Sequence, residues 1–499
     1  MDSSSETPPT DGSDTTSGRA ISGLRWVFLG TLMTRVAQPV FTVLLARILA
    51  PDDFGVVSVA LVFLAFVSLF QDLGLRQALV QRKEATEAVR QAVFWGGAGL
   101  GFLWFLAVWM AAPAVAGYYA DPHLGGVLRG LSLVLLIGAL AAVPEALLQR
   151  ELEFRSLFRV TAAQALVPGV VGLSLAYGGA GVWALVAGTV AGAVARVVLL
   201  WRITGWRIPG GFGKGGWHGL WHFGKWVSLE AFLGWCISSL DHAIVGRVVG
   251  MGAAGLYRVG YVVALLPAVT ISGVIARVSF PAFSRIQDQT ERVREAYLSI
   301  LRLVAAAGLP AALFLGLTAD PLVRLLLDPR WYGAVPVLQF LSVAGAMSAL
   351  VNVAPPIYQA IGRVDVMPKF FLGRVLVTVP VYLLAAQYGL IAMAAAHAAL
   401  ALCFGPLNLY IARRVLRVEG RAVLTAVGGP LIATAGATVA ALLPLRLMAG
   451  EGALGLLLML LATATGFGLV YLAILRLAAP ATWELGWRMG RRLLGGDPA

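Results

Sequence analysis

Six charged residues stand where an apolar chain should have none. Arg25 and Arg35 lie in the first long apolar run, Arg35 near its middle in "TLMTRVAQPVF", with Gln38 three residues on. Glu230 and Asp241 lie in the seventh run. They are eleven residues apart, which as a helix puts them on one face about 16 Å apart along the axis. Arg258 and Arg277 bracket the eighth run. A charge inside a membrane span is costly and usually faces a water-filled cavity or a partner. Carboxylates so placed suit a proton or cation site, and arginines suit an anion. The competing readings are an internal ion pair, such as Asp241 with Arg35, and snorkelling of Arg25 or Arg277 to the membrane surface. His242, beside Asp241, could titrate or could be interfacial.

The elements that hold these residues follow from composition. The chain has 499 residues, 59% hydrophobic and 13% charged, against about 25% charged in soluble proteins. Mean hydropathy is +0.83. Apolar runs of about 20 residues follow one another, the length a helix needs to cross a bilayer. They do not alternate as barrel strands would. The expected fold is an all-α polytopic membrane protein of about 14 transmembrane helices. The spans fall near 22–46, 54–75, 91–112, 125–148, 159–178, 180–201, 222–246, 254–280, 296–318, 334–360, 370–387, 389–411, 422–444 and 453–475.

The net charge of +13 implies cytoplasmic loops rather than nucleic acid. Basic residues crowd alternate loops: Arg76, Arg82, Lys83 and Arg90; Arg150, Arg155 and Arg159; Arg285, Arg292 and Arg294; Arg413, Arg414 and Arg417. The loops between are nearly bare, with Arg47, Arg247, Arg330 and Arg446. This places both termini in the cytoplasm. Residues 1–18 read as a polar, disordered tail with no cleaved signal. Cys236 and Cys403 both lie in apolar runs, unlike an extracellular disulfide.

The chain also repeats itself. Arg47 and Gly55 in "LLARILAPDDFGVVSVA" return as Arg247 and Gly255 in "AIVGRVVGMGAAGLYRVG". Asp121-Pro122 returns as Asp328-Pro329, and Gln149 as Gln359. Two halves of six helices, 21–205 and 220–415, enter from the same side as parallel repeats. A tail (1–20) precedes them, two additional helices (420–477) follow, and a basic tail (478–499) ends the chain. The expected role of Arg47 and Arg247 is to snorkel at helix ends. Pro51, Asp52 and Asp53 start a helix, and Gly55 lets helices approach closely. Paired lobes of this kind are typical of transporters with a site between them.

The stretch "LLARILAPDDFGVVSVALVFLAFVSLFQDLGLRQALVQRK", Leu44 to Lys83, resembles the N-terminal signature of bacterial polysaccharide exporters. These are the Wzx-type flippases of lipid-linked oligosaccharides, in the MOP superfamily. "RVSFPAFSRIQ", Arg277 to Gln287, is similar to that family's loop after the eighth span. The resemblance covers nearly the whole chain. It implies two six-helix lobes around a cationic cavity in the inner membrane, working by alternating access. The implied substrate is a polyprenyl-pyrophosphate-linked oligosaccharide, with membrane lipids around its tail. Arg25, Arg35, Arg258 and Arg277 would then bind pyrophosphate, since Arg clamps phosphate oxygens bidentately. Glu230 and Asp241 would couple transport to H+ or Na+. A polysaccharide polymerase complex is an expected neighbour. No cofactor, metal or nucleic acid is called for.

Several other readings are weaker. "GGFGKGG" lacks the Ser or Thr that a phosphate-binding loop carries after its Lys. His218 and His222 have metal-ligand spacing but no nearby carboxylate or Cys. Glu145 reads as a local pair, Asp72 as paired with Arg76 four residues on, and Arg302 and Arg374 as snorkelling. A membrane polymerase, ligase or glycosyltransferase would need a catalytic constellation. The outer loops near 113–125 and 319–333 offer only Asp121, His123, Asp320 and Asp328. A peptidoglycan-precursor flippase or multidrug exporter of the same superfamily, and a passive scaffold, remain as alternatives.

Overall fold

The computed structural model describes residues 12–71, 79, 86–151, 153–208, 210–211, 220–363, 365–447 and 452–493. Among these residues there are helices and turns and no strand. The first half consists of α1 (Gly12–Ala46), α2 (Pro51–Gln71), α3 (Glu87–Tyr119), α4 (Pro122–Ala139), α5 (Ala142–Arg150), α6 (Phe154–Tyr177) and α7 (Val182–Thr204). The second half consists of α8 (Leu220–Val248), α9 (Met251–Ile286), α10 (Thr290–Leu317), α11 (Ala319–Leu326), α12 (Ala334–Val351), α13 (Ala354–Ala360), α14 (Val366–Ala386) and α15 (Leu390–Leu416). Three helices follow: α16 (Gly420–Leu447), α17 (Gly452–Ala478) and α18 (Pro480–Leu493).

Twelve helices among the described residues are long and apolar enough to cross a membrane. The other two expected spans, 22–46 and 222–246, fall on α1 and α8, whose side chains are described only in part. The chain is a multi-pass membrane protein. Position within the bundle differs from helix to helix. The apolar stretch of α2 is 56% buried, while those of α3 and α17 are 17% buried. α2 is therefore an internal strut, and α3 and α17 turn leucines outward.

Helix ends follow local chemistry. Asp53 in the first turn of α2 accepts the backbone N–H of Ala50 through Oδ2, 3.1 Å away. Asp121 caps α4, its Oδ1 accepting the N–H groups of His123 and Leu124 at 2.9 Å, with Pro122 at the first helical position. Asp328-Pro329, its counterpart, opens only a short 3-10 turn, Pro329–Trp331. Two expected spans are broken. The 125–148 span divides into α4 and α5 at Leu140–Ala141, and the 334–360 span into α12 and α13 at Asn352–Val353. The interruptions come at corresponding places in the two halves. The 319–333 loop is itself largely helical, as α11 and the 3-10 turn.

Packing joins neighbours within each half, α1 on α6, α6 on α7 and α3 on α4, then α9 on α12, α12 on α15 and α14 on α8. The halves meet mainly where α2 packs on α9 and α8. One core runs across that seam, taking Leu45, Val56, Val59 and Leu131 from the first half and Val245, Tyr257, Trp331 and Leu341 from the second. A second core lies wholly beyond it, around Tyr297, Leu301 and Tyr358. α16 and α17 pack on each other and attach through α10.

Candidate functional site

The seam between the halves is built from the repeated residues. α2 and α9 cross near their first turns. A Cβ added to Gly55 would lie 1.8 Å from the carbonyl oxygen of Met251, and one added to Gly255 would lie 1.8 Å from that of Pro51. Pro51 and Met251 are themselves equivalent positions. Each glycine therefore sits against the first residue of the other half's helix, about a local two-fold axis. Any side chain there must push the helices apart.

The two arginines lock the same crossing. Arg47 donates through Nε to the carbonyl of Leu326 at 2.7 Å and through Nη2 to that of Leu325 at 3.3 Å. Those are terminal carbonyls of α11, where a cation also complements the helix dipole. Arg247 places its guanidinium 4.9 Å from the ring centre of Tyr118, at the end of α3. Both therefore reach the other half, just before its Asp-Pro step. The expected snorkelling is corrected: inter-half carbonyls and a ring lie within reach of each side chain. Trp331 Nε1 donates to the carbonyl of Ala46 at 2.7 Å, and Tyr119 donates to that of Ala243 at 3.2 Å. Deeper in the seam, Trp235 Nε1 donates to the carbonyl of Val62 at 3.2 Å. This end of the bundle is closed. Arg47→Ala should weaken the closure by roughly 1 kcal/mol, about a five-fold shift toward the open seam. The check is the rate at which an impermeant maleimide labels Ser58→Cys, a position 3% exposed, in a Cys236→Ala/Cys403→Ser background.

A buried polar cluster lies beside the seam in the second half. Asp241 on α8 is fully buried. Its Oδ1 accepts the backbone N–H of His242 and faces His242 Nδ1, both at 2.8 Å. Its Oδ2 accepts the Tyr257 hydroxyl of α9 at 3.0 Å and lies 3.3 Å from His397 Nδ1 of α15. Tyr257 and His397 Nδ1 are themselves 3.0 Å apart. The ring of Tyr382 on α14 stacks on His397, centroids 5.7 Å apart, and Tyr261 lies edge-on to His242 at 4.8 Å. Arg258 and Arg374 are within electrostatic reach of Asp241 and Tyr261.

Of the expected site residues, the structure brings together Asp241 and Arg258. Arg35 is half-buried on α1. Arg25, Glu230 and Arg277 fall on α1, α8 and α9, and their side chains lie outside the described residues, as do His218, His222 and Asp72. Asp241 takes histidines and a tyrosine as its direct partners, in place of the expected arginine. His242 is 2% exposed, an interior residue of the cluster. Arg374 is corrected too: it lies 5.8 Å from the ring centre of Phe404 with a buried Nε, not at the membrane surface. Sequence reasoning passed over Tyr257, Tyr261, Tyr382 and His397. The signal was present for His397, a lone histidine in "AMAAAHAALAL", where a polar residue inside a span marks a partner or a site.

The first half carries a different polar feature. Three adjoining cavities of about 260, 210 and 360 Å³ share walls at Gln164 and Thr189 and then at Gly138 and Arg196. Thr34, Gln38 and Thr42, neighbours of Arg35 on α1, line one end, and Glu145 with Arg196 the other. Glu145 and Arg196 form an ion pair between α5 and α7. Between these ends the lining is mostly apolar, and its neutral polar groups are the Gln164 amide and the Thr189 hydroxyl, which can hydrogen-bond a hydroxyl-rich ligand.

At the opposite, basic end, Asp365 accepts from Lys369 at 2.9 Å and Arg363 at 3.1 Å. These hydrogen bonds, Lys369 first, hold its carboxyl down to about 2 from an ordinary 3.8. The sign follows: the interaction is complete above the ordinary value and is lost only as pH falls through about 2. Asp365 stays ionised at any physiological pH.

Residues 44–336 match the polysaccharide biosynthesis protein family. The chain belongs to that family. The match begins at Leu44, where the exporter-like signature begins, and runs through α1–α7 into α12. As a polysaccharide biosynthesis family member the chain is similar to the lipopolysaccharide biosynthesis protein WzxC of Escherichia coli (strain K12). The two are 28% identical over 375 residues, 74% of this chain and 75% of WzxC. The fold is that of the lipid II flippase MurJ in an inward closed conformation, with a TM-score of 0.72 at 12% identity, covering 90% of this chain and 98% of MurJ. An inward-facing multidrug resistance MATE family transporter of the MOP superfamily also shares it, with a TM-score of 0.63 at 14% identity over 77% of this chain and 94% of the transporter. The polysaccharide biosynthesis family member thus shares its fold with MurJ and this MATE transporter, as the sequence resemblance implies.

Proposed function

We propose that this protein is a flippase that carries polyprenyl-pyrophosphate-linked oligosaccharide units from the cytoplasmic to the outer leaflet of the bacterial inner membrane, for surface polysaccharide biosynthesis. The observation that carries the reading is the two-fold seam at Gly55 and Gly255. It closes one end of a two-lobed bundle through contacts that can separate as a unit, as alternating access requires. The basic loops support a reading in which that closed end faces outward and both termini are cytoplasmic. The lobes are 21–205 and 220–415, with 420–477 as an added helix pair. WzxC, a lipopolysaccharide biosynthesis protein by name, and MurJ, a lipid II flippase, support the cargo class.

In this scheme Arg25, Arg35, Arg258 and Arg277 hold the pyrophosphate as the cargo crosses. The polar crevice beside Arg35 suits the glycan. Asp241, with Glu230 three turns earlier on the same helix, couples the cycle to H+ or Na+. The protein does no covalent chemistry and hands its cargo to a polysaccharide polymerase complex.

The test is a strain lacking this protein. Complete lipid-linked units should accumulate on the cytoplasmic leaflet, with surface polymer lost. Arg35→Ala should reach the membrane yet fail to restore export. Units that reach the outer leaflet but stay unpolymerised would instead establish a polymerase or ligase. Accumulated peptidoglycan precursor would establish that cargo.

A further inference from the structure

The polar cluster has a donor count that selects its ion. An ionised carboxylate only accepts, so every group facing Asp241 must donate to it. His242 therefore carries its proton on Nδ1, directed at Oδ1. Tyr257 donates to Oδ2. His397 Nδ1 faces both the Tyr257 oxygen and Oδ2, so it too carries a proton. These hydrogen positions follow from the network. Both oxygens of Asp241 are taken by N–H and O–H donors. A hard cation needs several oxygen lone pairs turned toward it, and here they are occupied.

The two histidines are not equivalent as proton acceptors. His242 has its Nε2 buried with no partner among the described residues. A proton there would place an N–H in apolar surroundings with nothing to accept it. His397 is the most exposed of the three, 6% against 2% for His242 and none for Asp241. Protonating it turns its contact with Asp241 into an ion pair.

Resting on the flippase reading, we infer that the coupling ion is a proton and that His397, held by Tyr257 and Asp241, is the residue that carries it. Proton binding gives His397 a positive charge that engages the carboxylate. The cluster gains one unit of charge, and Asp241 loosens its hold on Arg258 and Arg374, the two guanidinium groups in its field. Those arginines then become available to an anionic cargo. The surrounding groups are accounted for by helix. α8 supplies Asp241 and His242, and α9 supplies Tyr257, Arg258 and Tyr261. α14 supplies Arg374 and Tyr382, and α15 supplies His397 itself.

The experiment reads conformation without cargo. Tyr177 and Tyr388, 80% and 76% exposed, stand in outer turns of the two halves. Spin labels at Tyr177→Cys and Tyr388→Cys, in the full chain with Cys236→Ala and Cys403→Ser in lipid nanodiscs, report their separation. The distance populations should shift between about pH 5 and 8. Exchange of choline for sodium at fixed pH should leave them unchanged. His397→Gln should abolish the pH shift with the fold and thermal midpoint retained, while His242→Gln should keep it. A sodium-driven shift, a pH shift that survives His397→Gln, or no pH shift in the parent protein would each overturn the proposal. A pH shift that vanishes in His397→Gln, together with a failed leaflet assay, would keep the proton site and discard the cargo assignment.

Discussion

Gly55→Ala should leave the seam end of the bundle unable to close. The added carbon would lie 1.8 Å from the Met251 carbonyl oxygen, which is backbone and cannot rotate away. Relief requires α2 and α9 to separate, and with them the Arg47, Trp331 and Tyr119 contacts that span the same crossing. Overpacking of this kind costs about 1–3 kcal/mol or more. Export should fall about ten-fold or more, and maleimide labelling of Ser58→Cys should rise by a similar factor. Gly255→Ala should behave alike, because its clash with Pro51 is the same contact seen from the other half. Gly99→Ala is the control: nothing lies within 4 Å of a Cβ there, so export should be unchanged. Normal export by Gly55→Ala with position 58 still shielded would show that the seam does not gate transport.

Asp241→Asn should abolish pH-dependent export. Asparagine is nearly the same size, so the cavity is kept, but one acceptor oxygen becomes a donor NH₂. Whichever way the amide turns, it faces either the two His242 donors or the Tyr257 and His397 pair. An unsatisfied buried donor costs about 1–3 kcal/mol, and the charge that holds Arg258 and Arg374 is gone. Export should drop about ten-fold, and the remainder should be flat with pH. Membrane abundance is measured alongside, to separate loss of protein from loss of turnover. An unchanged rate and pH profile would leave Asp241 as a structural residue.

Much of this architecture is readable before any coordinates. Apolar run length gives the helices, and loop charge gives the direction expected for them. The return of Arg and Gly 200 positions on, and of Asp-Pro 207 positions on, points to the two halves. The destination of those residues was less legible. Arg47 and Arg247 looked like surface anchors because their partners, Leu326 and Tyr118, belong to the opposite half. Asp241 was recognisable as a costly charge in a span, but its partners include residues of two other helices, up to 156 positions away. No local spacing encodes such a contact. The break at Leu140–Ala141 was hidden too, because both residues favour helix and the interruption is set by packing.

The two kinds of site relate differently to the ancestry that a repeated chain implies. If the halves descend from one gene joined to its own copy, a residue at the axis first met itself. Any change at Gly55 would have struck the crossing twice, and fusion did not lift that constraint, since each copy still touches the other. Asp241 stands away from its counterpart, and the equivalent place in the first half holds Phe41, packed on Gly169. Duplication released that position to diverge. On that ancestry the hinge of such a protein comes from a homodimer, while the ion chemistry proposed above belongs to one half alone.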